Sequence, residues 1–168
     1  VSRGLGDVYK RQVVEYQANV IASVLAERLR GSYKMLHLPD GLSQDSLHML
    51  MTCEPQIKEI GDLISRTDVL LFGIGTAMRM ADQRHIADDV RKQLIDNHAV
   101  GEALGQYCDI EGKLIYSTNN IGLSLPDVVK VPNVIAVAGG QEKANAIIGV
   151  MRCLLYTSPS PRDTERSR

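Results

Sequence analysis

Gly139-Gly140-Gln141-Glu142-Lys143 stands where a continuous apolar stretch gives way to a helical pattern. The two glycines leave backbone amides accessible, and a helix start carries unpaired N–H donors and partial positive charge, so such a turn favours an anion. Lys143 falls in the first helical turn, where a cation is unfavourable unless an anionic group lies between it and the helix end. A phosphate is one such group; an ordinary surface lysine is the other reading. The GxxxxGK[ST] spacing of a P-loop is absent. A second glycine turn, Gly73-Ile74-Gly75-Thr76-Ala77-Met78, has Met78 where a dinucleotide fingerprint needs its third glycine. It either lets amides approach a ligand or makes a tight strand-to-helix connection. Arg84, just downstream, carries a guanidinium fork that suits phosphate, although a solvated arginine at a helix end has the same signature. Glu102, between Gly101 and Ala103 in a loop with little other charge, can accept hydrogen bonds from sugar hydroxyls or simply face solvent.

Other chemistry is poorly represented. There is no Ser/His/Asp order, no HExxH and no nucleophile elbow. His37, His48, His85 and His98 share no ligand spacing. Cys53, Cys108 and Cys153 are unpaired in spacing, which argues against a disulfide scaffold or zinc module and for a reducing compartment. Cys53 and Cys108 are expected to pack as small apolar side chains. The net charge of −1 across 168 residues gives no basic nucleic-acid footprint. One Phe and no Trp leave no aromatic ladder for bases. No apolar run reaches bilayer length.

The elements that must position these residues follow from periodicity. Apolar positions from Val13 to Arg30 recur at helical spacing and Gly31 closes them. Tyr33 to Leu38 reads as a strand broken by Pro39-Asp40-Gly41. Ser43 is a candidate N-cap, with Leu42 and Leu47 as a staple, for a helix to about Met51; Pro55 suits the first turn of a helix over 56–65. Asp68 to Ile74 and Asn133 to Ala138 are continuous apolar runs, the pattern of strands buried on both faces. A helix spans Asp89 to Ile95, a loop covers Ala99 to Ala103, a hairpin over 105–117 turns at Asp109-Ile110-Glu111-Gly112, and Gln141 to Met151 is helical. Alternating strands and helices predict an α/β fold, a three-layer Rossmann-like, mainly parallel sheet covered by helices, with ligands at the carboxyl ends of the strands.

Residues 1–12 and 153–168 lack any apolar period and are expected to be a non-native leader and tail around a partial domain over 13–152, a native disordered arm and tail being the other reading. The two ends carry net charges of +2 and +1, which leaves −4 on residues 13–152.

Four blocks together resemble the sugar-binding domain of SorC-type bacterial transcriptional regulators: Val14-Glu15-Tyr16-Gln17-Ala18-Asn19, Gly73-Ile74-Gly75, Ala99 through Tyr107, and Val134 through Ile147. The resemblance covers roughly Val13 to Arg152. It implies the fold shared with ribose-5-phosphate isomerase and glucosamine-6-phosphate deaminase, no catalysis, no cofactor, and a phosphorylated sugar such as fructose 1,6-bisphosphate as effector. It further implies that Lys143, with Gly139 and Gly140, contacts phosphate, that Glu102 contacts the sugar, and that Gln17 is a polar residue of the pocket. The family's double-arginine stretch corresponds to Gln83-Arg84, where one arginine is kept. In the whole protein a helix-turn-helix and a Gly-Gly-Thr phosphate loop would precede Val13, and a strand and helix would follow Arg152. Arg3-Gly4-Leu5-Gly6 imitates the family's Arg-Gly-Gly segment several residues too early. The resemblance thus implies a cytoplasmic homo-oligomeric repressor that reaches operator DNA through the helix-turn-helix, with this fragment itself not binding DNA and holding effector weakly or not at all. An isomerase or deaminase on the same fold, with Glu102 as general base, is the alternative.

Overall fold

The structure, a computed structural model, describes residues 18–36, 38 and 42–157. The chain divides into two compact units, residues 1–39 and 40–168. In the first, α1 (Ala18–Leu29) ends where Arg30 turns left-handed (φ 56°) and the Gly31 N–H bonds back to the Ala26 carbonyl at 2.8 Å. The strand expected over 33–38 does not form among the described residues, which run on without a ladder. Alternating side chains alone do not make a strand; a neighbouring backbone must accept its hydrogen bonds.

The second unit opens with α2 (Gln44–Cys53), whose N-cap Ser43 accepts from the Ser46 N–H at 3.1 Å, as its sequence implies. Leu47 is buried beneath it. Next come α3 (Pro55–Ser65), β1 (Val69–Gly73), β2 (Gly75–Thr76), α4 (Ala77–Gln83), α5 (Asp88–Asp96), β3 (Gly101–Ala103), β4 (Gln106–Cys108), β5 (Leu114–Ser117), α6 (Leu125–Val128) and β6 (Asn133–Val137). A 3-10 turn, Gln141–Lys143, leads into α7 (Ala144–Thr157). β1 and β6 pair in parallel, with Gly73 opposite Val137, while β2-β3-β4-β5 form an antiparallel sheet. The fold class is α/β, with one parallel and one antiparallel sheet.

The antiparallel sheet is the middle of three layers. Ala103 and Cys108 face a cluster made with Leu125 of α6 and Ala146, Val150 and Cys153 of α7. Tyr107, alternating to the other face, packs with Ala77 and Ala81 of α4 and Leu94 of α5. Cys153, expected to begin a patternless tail, continues the Ala146–Val150 stripe, so α7 is longer than its sequence reading and starts three residues later.

Two further expectations need correction. β6 is exposed along its whole length and β1 is buried only at Phe72, although both are continuously apolar. Such a run shows that a strand is suited to cover, not that these residues supply it. The segment read as a loop around Glu102 is β3, paired with β4 through a two-residue turn at Leu104 and Gly105 (φ 54° and 79°). Two positive φ values are what a tight hairpin requires, and Leu at the first hides the signal that Asn or Asp would have shown. The other expected hairpin is present as β4–β5, with Gly112 left-handed at its turn (φ 89°).

Candidate functional site

The peptide after β1 is where the glycine turns meet. The Ile74 N–H continues the parallel ladder by bonding to the Val137 carbonyl at 3.1 Å. The Ile74 carbonyl accepts the Lys143 ammonium at 2.9 Å. One residue later Gly75 lies opposite Glu102 in the β2–β3 ladder. Lys143 and Glu102, forty-one positions apart in sequence, therefore flank a single dipeptide. A Cβ at Gly75 would meet the Met80 side chain, which would have to shift, and would lie at an ordinary 3.8 Å from Glu102 Oε2.

Glu102 is 3% exposed. Its Oε1 accepts the Gly105 N–H at 2.6 Å and the Arg84 Nη2 at 3.1 Å. Burial raises its pKa above the ordinary value, against the opposing pull of the Arg84 charge and the Gly105 amide. Oε2 accepts no hydrogen bond among the described residues, which leaves two lone pairs for a ligand hydroxyl. Arg84 caps the end of α4 and is 30% exposed, yet its Nε is buried with no acceptor.

Lys143 lies in the 3-10 turn ahead of α7 rather than inside the helix. Gly140 adopts φ 103°, where a side chain is strained, and the Glu142 carboxylate folds back over it. Gly139 is exposed, with nothing within 4 Å of where a Cβ would stand, so its backbone is open to approach. The ammonium keeps two donors after bonding Ile74. The expected residue Gln17 lies outside the described residues.

The fold thus joins Arg84 directly to Glu102 and brings Lys143 to the other side of the Ile74–Gly75 peptide. Reading by type and spacing missed the Gly105 amide and the Ile74 carbonyl. Backbone groups carry no residue-type signal; the glycine after Leu104 was the only hint. Chemically the site offers cationic donors, one buried N–H lacking an acceptor and one carboxylate oxygen, a set matched to a polyhydroxylated anion. Among the described residues, no cluster of three His, Cys, Asp or Glu could hold a metal.

The family described as "Putative sugar-binding domain" matches residues 4–158. The central glycolytic genes regulator of Bacillus subtilis is 38% identical over 144 residues, 86% of this chain and 41% of the relative. Its counterpart in Priestia megaterium is 37% identical over 139 residues, 83% of this chain and 40% of the relative. The chain therefore spans about two fifths of the length of these curated relatives. Among solved structures, the "putative SorC family transcriptional regulator from Enterococcus faecalis" superposes with a TM-score of 0.76 at 38% identity, over 84% of this chain and 57% of that one. The full-length sorbitol operon regulator SorC from Klebsiella pneumoniae shares the fold, with a TM-score of 0.70 at 21% identity over 86% of this chain and 47% of that one. A chain that carries the Ile74–Gly75 junction and is matched by the family over residues 4–158 belongs to the sugar-binding domain family of SorC-type transcriptional regulators.

Proposed function

We propose that this chain senses a phosphorylated sugar, with fructose 1,6-bisphosphate as the first candidate, within a cytoplasmic, oligomeric repressor of carbohydrate genes. The observation that carries the reading is the buried Arg84 Nε without an acceptor, beside a carboxylate with one free oxygen and across one peptide from the Lys143 ammonium. An unsatisfied buried N–H is unfavourable by about 1–3 kcal/mol, so an oxygen delivered there is rewarded. Phosphate oxygens meet Lys143 and the open amides at Gly139 and Gly140, while Glu102 Oε2 accepts from a sugar hydroxyl. No step of this needs bond making. The ligand acts by binding one of two states of the whole regulator more tightly, and operator affinity, exerted through a helix-turn-helix elsewhere in that protein, follows the population.

Titration calorimetry on the whole regulator tests this. Lys143→Ala should weaken fructose 1,6-bisphosphate by about ten- to a hundredfold, the range for a lost charge-assisted hydrogen bond. An unchanged affinity removes Lys143 from the site. The raised pKa of Glu102 favours a second reading, a general base in a sugar-phosphate isomerase or deaminase. Glu102-dependent turnover of ribose 5-phosphate or glucosamine 6-phosphate would decide for the enzyme.

A further inference from the structure

Leu104 is held in a conformation that leucine avoids. It is left-handed (φ 54°) in the β3–β4 turn, followed by Gly105 (φ 79°), and a Cβ at positive φ crowds its own backbone. A strained residue next to a functional group persists only where its surroundings fix it. Here the surroundings are two side chains from the segment that follows β5. Asn120 Nδ2 donates to the Leu104 carbonyl at 3.1 Å. Thr118 Oγ1 donates to the Gly105 carbonyl at 3.0 Å, and the Thr118 N–H reaches the same oxygen at 2.8 Å. Both side chains lie so close to the turn that a Cβ at Gly105 would collide with them. The Asn120 amide is fixed in its turn: Oδ1 accepts the Gly122 N–H at 2.9 Å, so one orientation of the amide serves both partners.

The Leu104 carbonyl and the Gly105 N–H belong to one peptide unit, which is trans and presents them in opposite directions. That N–H donates to Glu102 Oε1 at 2.6 Å. Asn120 and Glu102 therefore grip a single peptide from its two sides. A hydrogen bond donated to the carbonyl polarises the peptide and strengthens the bond made by its N–H. It also opposes rotation of the peptide plane, which would carry the N–H away from the carboxylate. Neither effect requires Asn120 to touch a ligand, and its side chain is exposed. We propose that Asn120, seconded by Thr118, is a positioning residue for Glu102: by holding the Leu104–Gly105 peptide it fixes Oε1 and keeps Oε2 free to accept from the ligand. The proposal rests on the reading of Glu102 as a ligand contact.

Titration of Glu102 followed by carboxyl-carbon NMR on the 168-residue chain reads this hold directly. The Gly105 amide pulls the Glu102 pKa down, so Asn120→Ala should move the midpoint upward. The other charged and titratable groups around Glu102, namely Arg84, Lys143 across the Ile74–Gly75 peptide and the Cys108 thiol, are the same in every variant. Thr118→Val should also raise the midpoint, and Thr118→Ser should restore it. Asn119→Ala is the control, because that amide bonds the Leu42 carbonyl instead, and the midpoint should stay in place. In calorimetry on the whole regulator, Asn120→Ala should weaken fructose 1,6-bisphosphate by about three- to tenfold, the scale of one hydrogen bond. An unmoved midpoint in both Asn120→Ala and Thr118→Val overturns the proposal. So does full affinity in Asn120→Ala where Glu102→Gln weakens binding. Should Glu102→Gln itself bind at full strength, the ligand reading of Glu102 fails, while the midpoint still decides the hold on its carboxylate.

Discussion

Glu102 is held where its charged form is disfavoured, and that has a consequence for pH. Its folded pKa lies above the ordinary 4.5 because burial outweighs the Arg84 charge and the Gly105 amide. Between the unfolded and folded values the native state binds more protons than the unfolded chain, so stability falls as pH rises through that window, and the full penalty stands above it. Glu102→Gln removes this dependence. Urea unfolding followed upward from the ordinary carboxylate range to neutrality should show the variant gaining on wild type, and a difference flat in pH would contradict the raised pKa. The thiols make a second test. Burial, with Cys153 and Asp109 nearby, pushes Cys108 up to about 12, and burial also raises Cys153, whereas Cys53 is exposed. Since the thiolate is the reactive form, a chromogenic disulfide reagent in mildly alkaline buffer should titrate one thiol quickly and the other two only on unfolding. Three fast thiols would mean the α7 packing is not as described.

At the scale of elements, the junction of β3 with α7 is a close backbone contact near the site. A Cβ at Gly101 would stand 2.7 Å from the Ala146 carbonyl oxygen and 3.0 Å from its Cα, both backbone atoms that cannot step aside. Gly101→Ala should therefore destabilise the protein by about 1–3 kcal/mol, as overpacking does. Gly73→Ala, whose Cβ would meet only the Val137 carbonyl at an ordinary 3.9 Å, serves as the control. Denaturant midpoints for the two variants check this, and equal midpoints would refute the close approach. The same elements show where periodicity failed. β3 and β4 are three residues each, too short for alternation to register, and their turn lacks the usual Asn-Gly or Asp-Gly signature. Helices α2 and α3 were readable because Ser43 and Pro55 mark their starts in residue type.

For the molecule as a whole, the open parallel pair is the unusual feature. Val69, Leu71, Ile135 and Val137 are all exposed, on two strands that each have an edge unpaired among the described residues. Contiguous apolar surface of this kind drives association, and unpaired edges favour pairing with another chain. Light scattering should show concentration-dependent self-association that Ile135→Lys reduces; a monodisperse monomer at every concentration would mean this face is not sticky. No helix among the described residues is long and apolar enough to cross a membrane.

The sequence by itself determined the α/β class, the starts of α2, α3 and α5, both glycine turns, and Lys143, Arg84 and Glu102 as residues to watch. These are local properties: period, caps and the company of glycine are visible within a few positions. Only the tertiary structure decided that Glu102 sits on a strand, that its carboxylate is shared by Arg84 eighteen residues upstream and the Gly105 amide, and that Lys143 reaches the Ile74 carbonyl sixty-nine residues away. Those facts depend on strand register and on backbone groups that every residue possesses, so no choice of side chain announces them in advance.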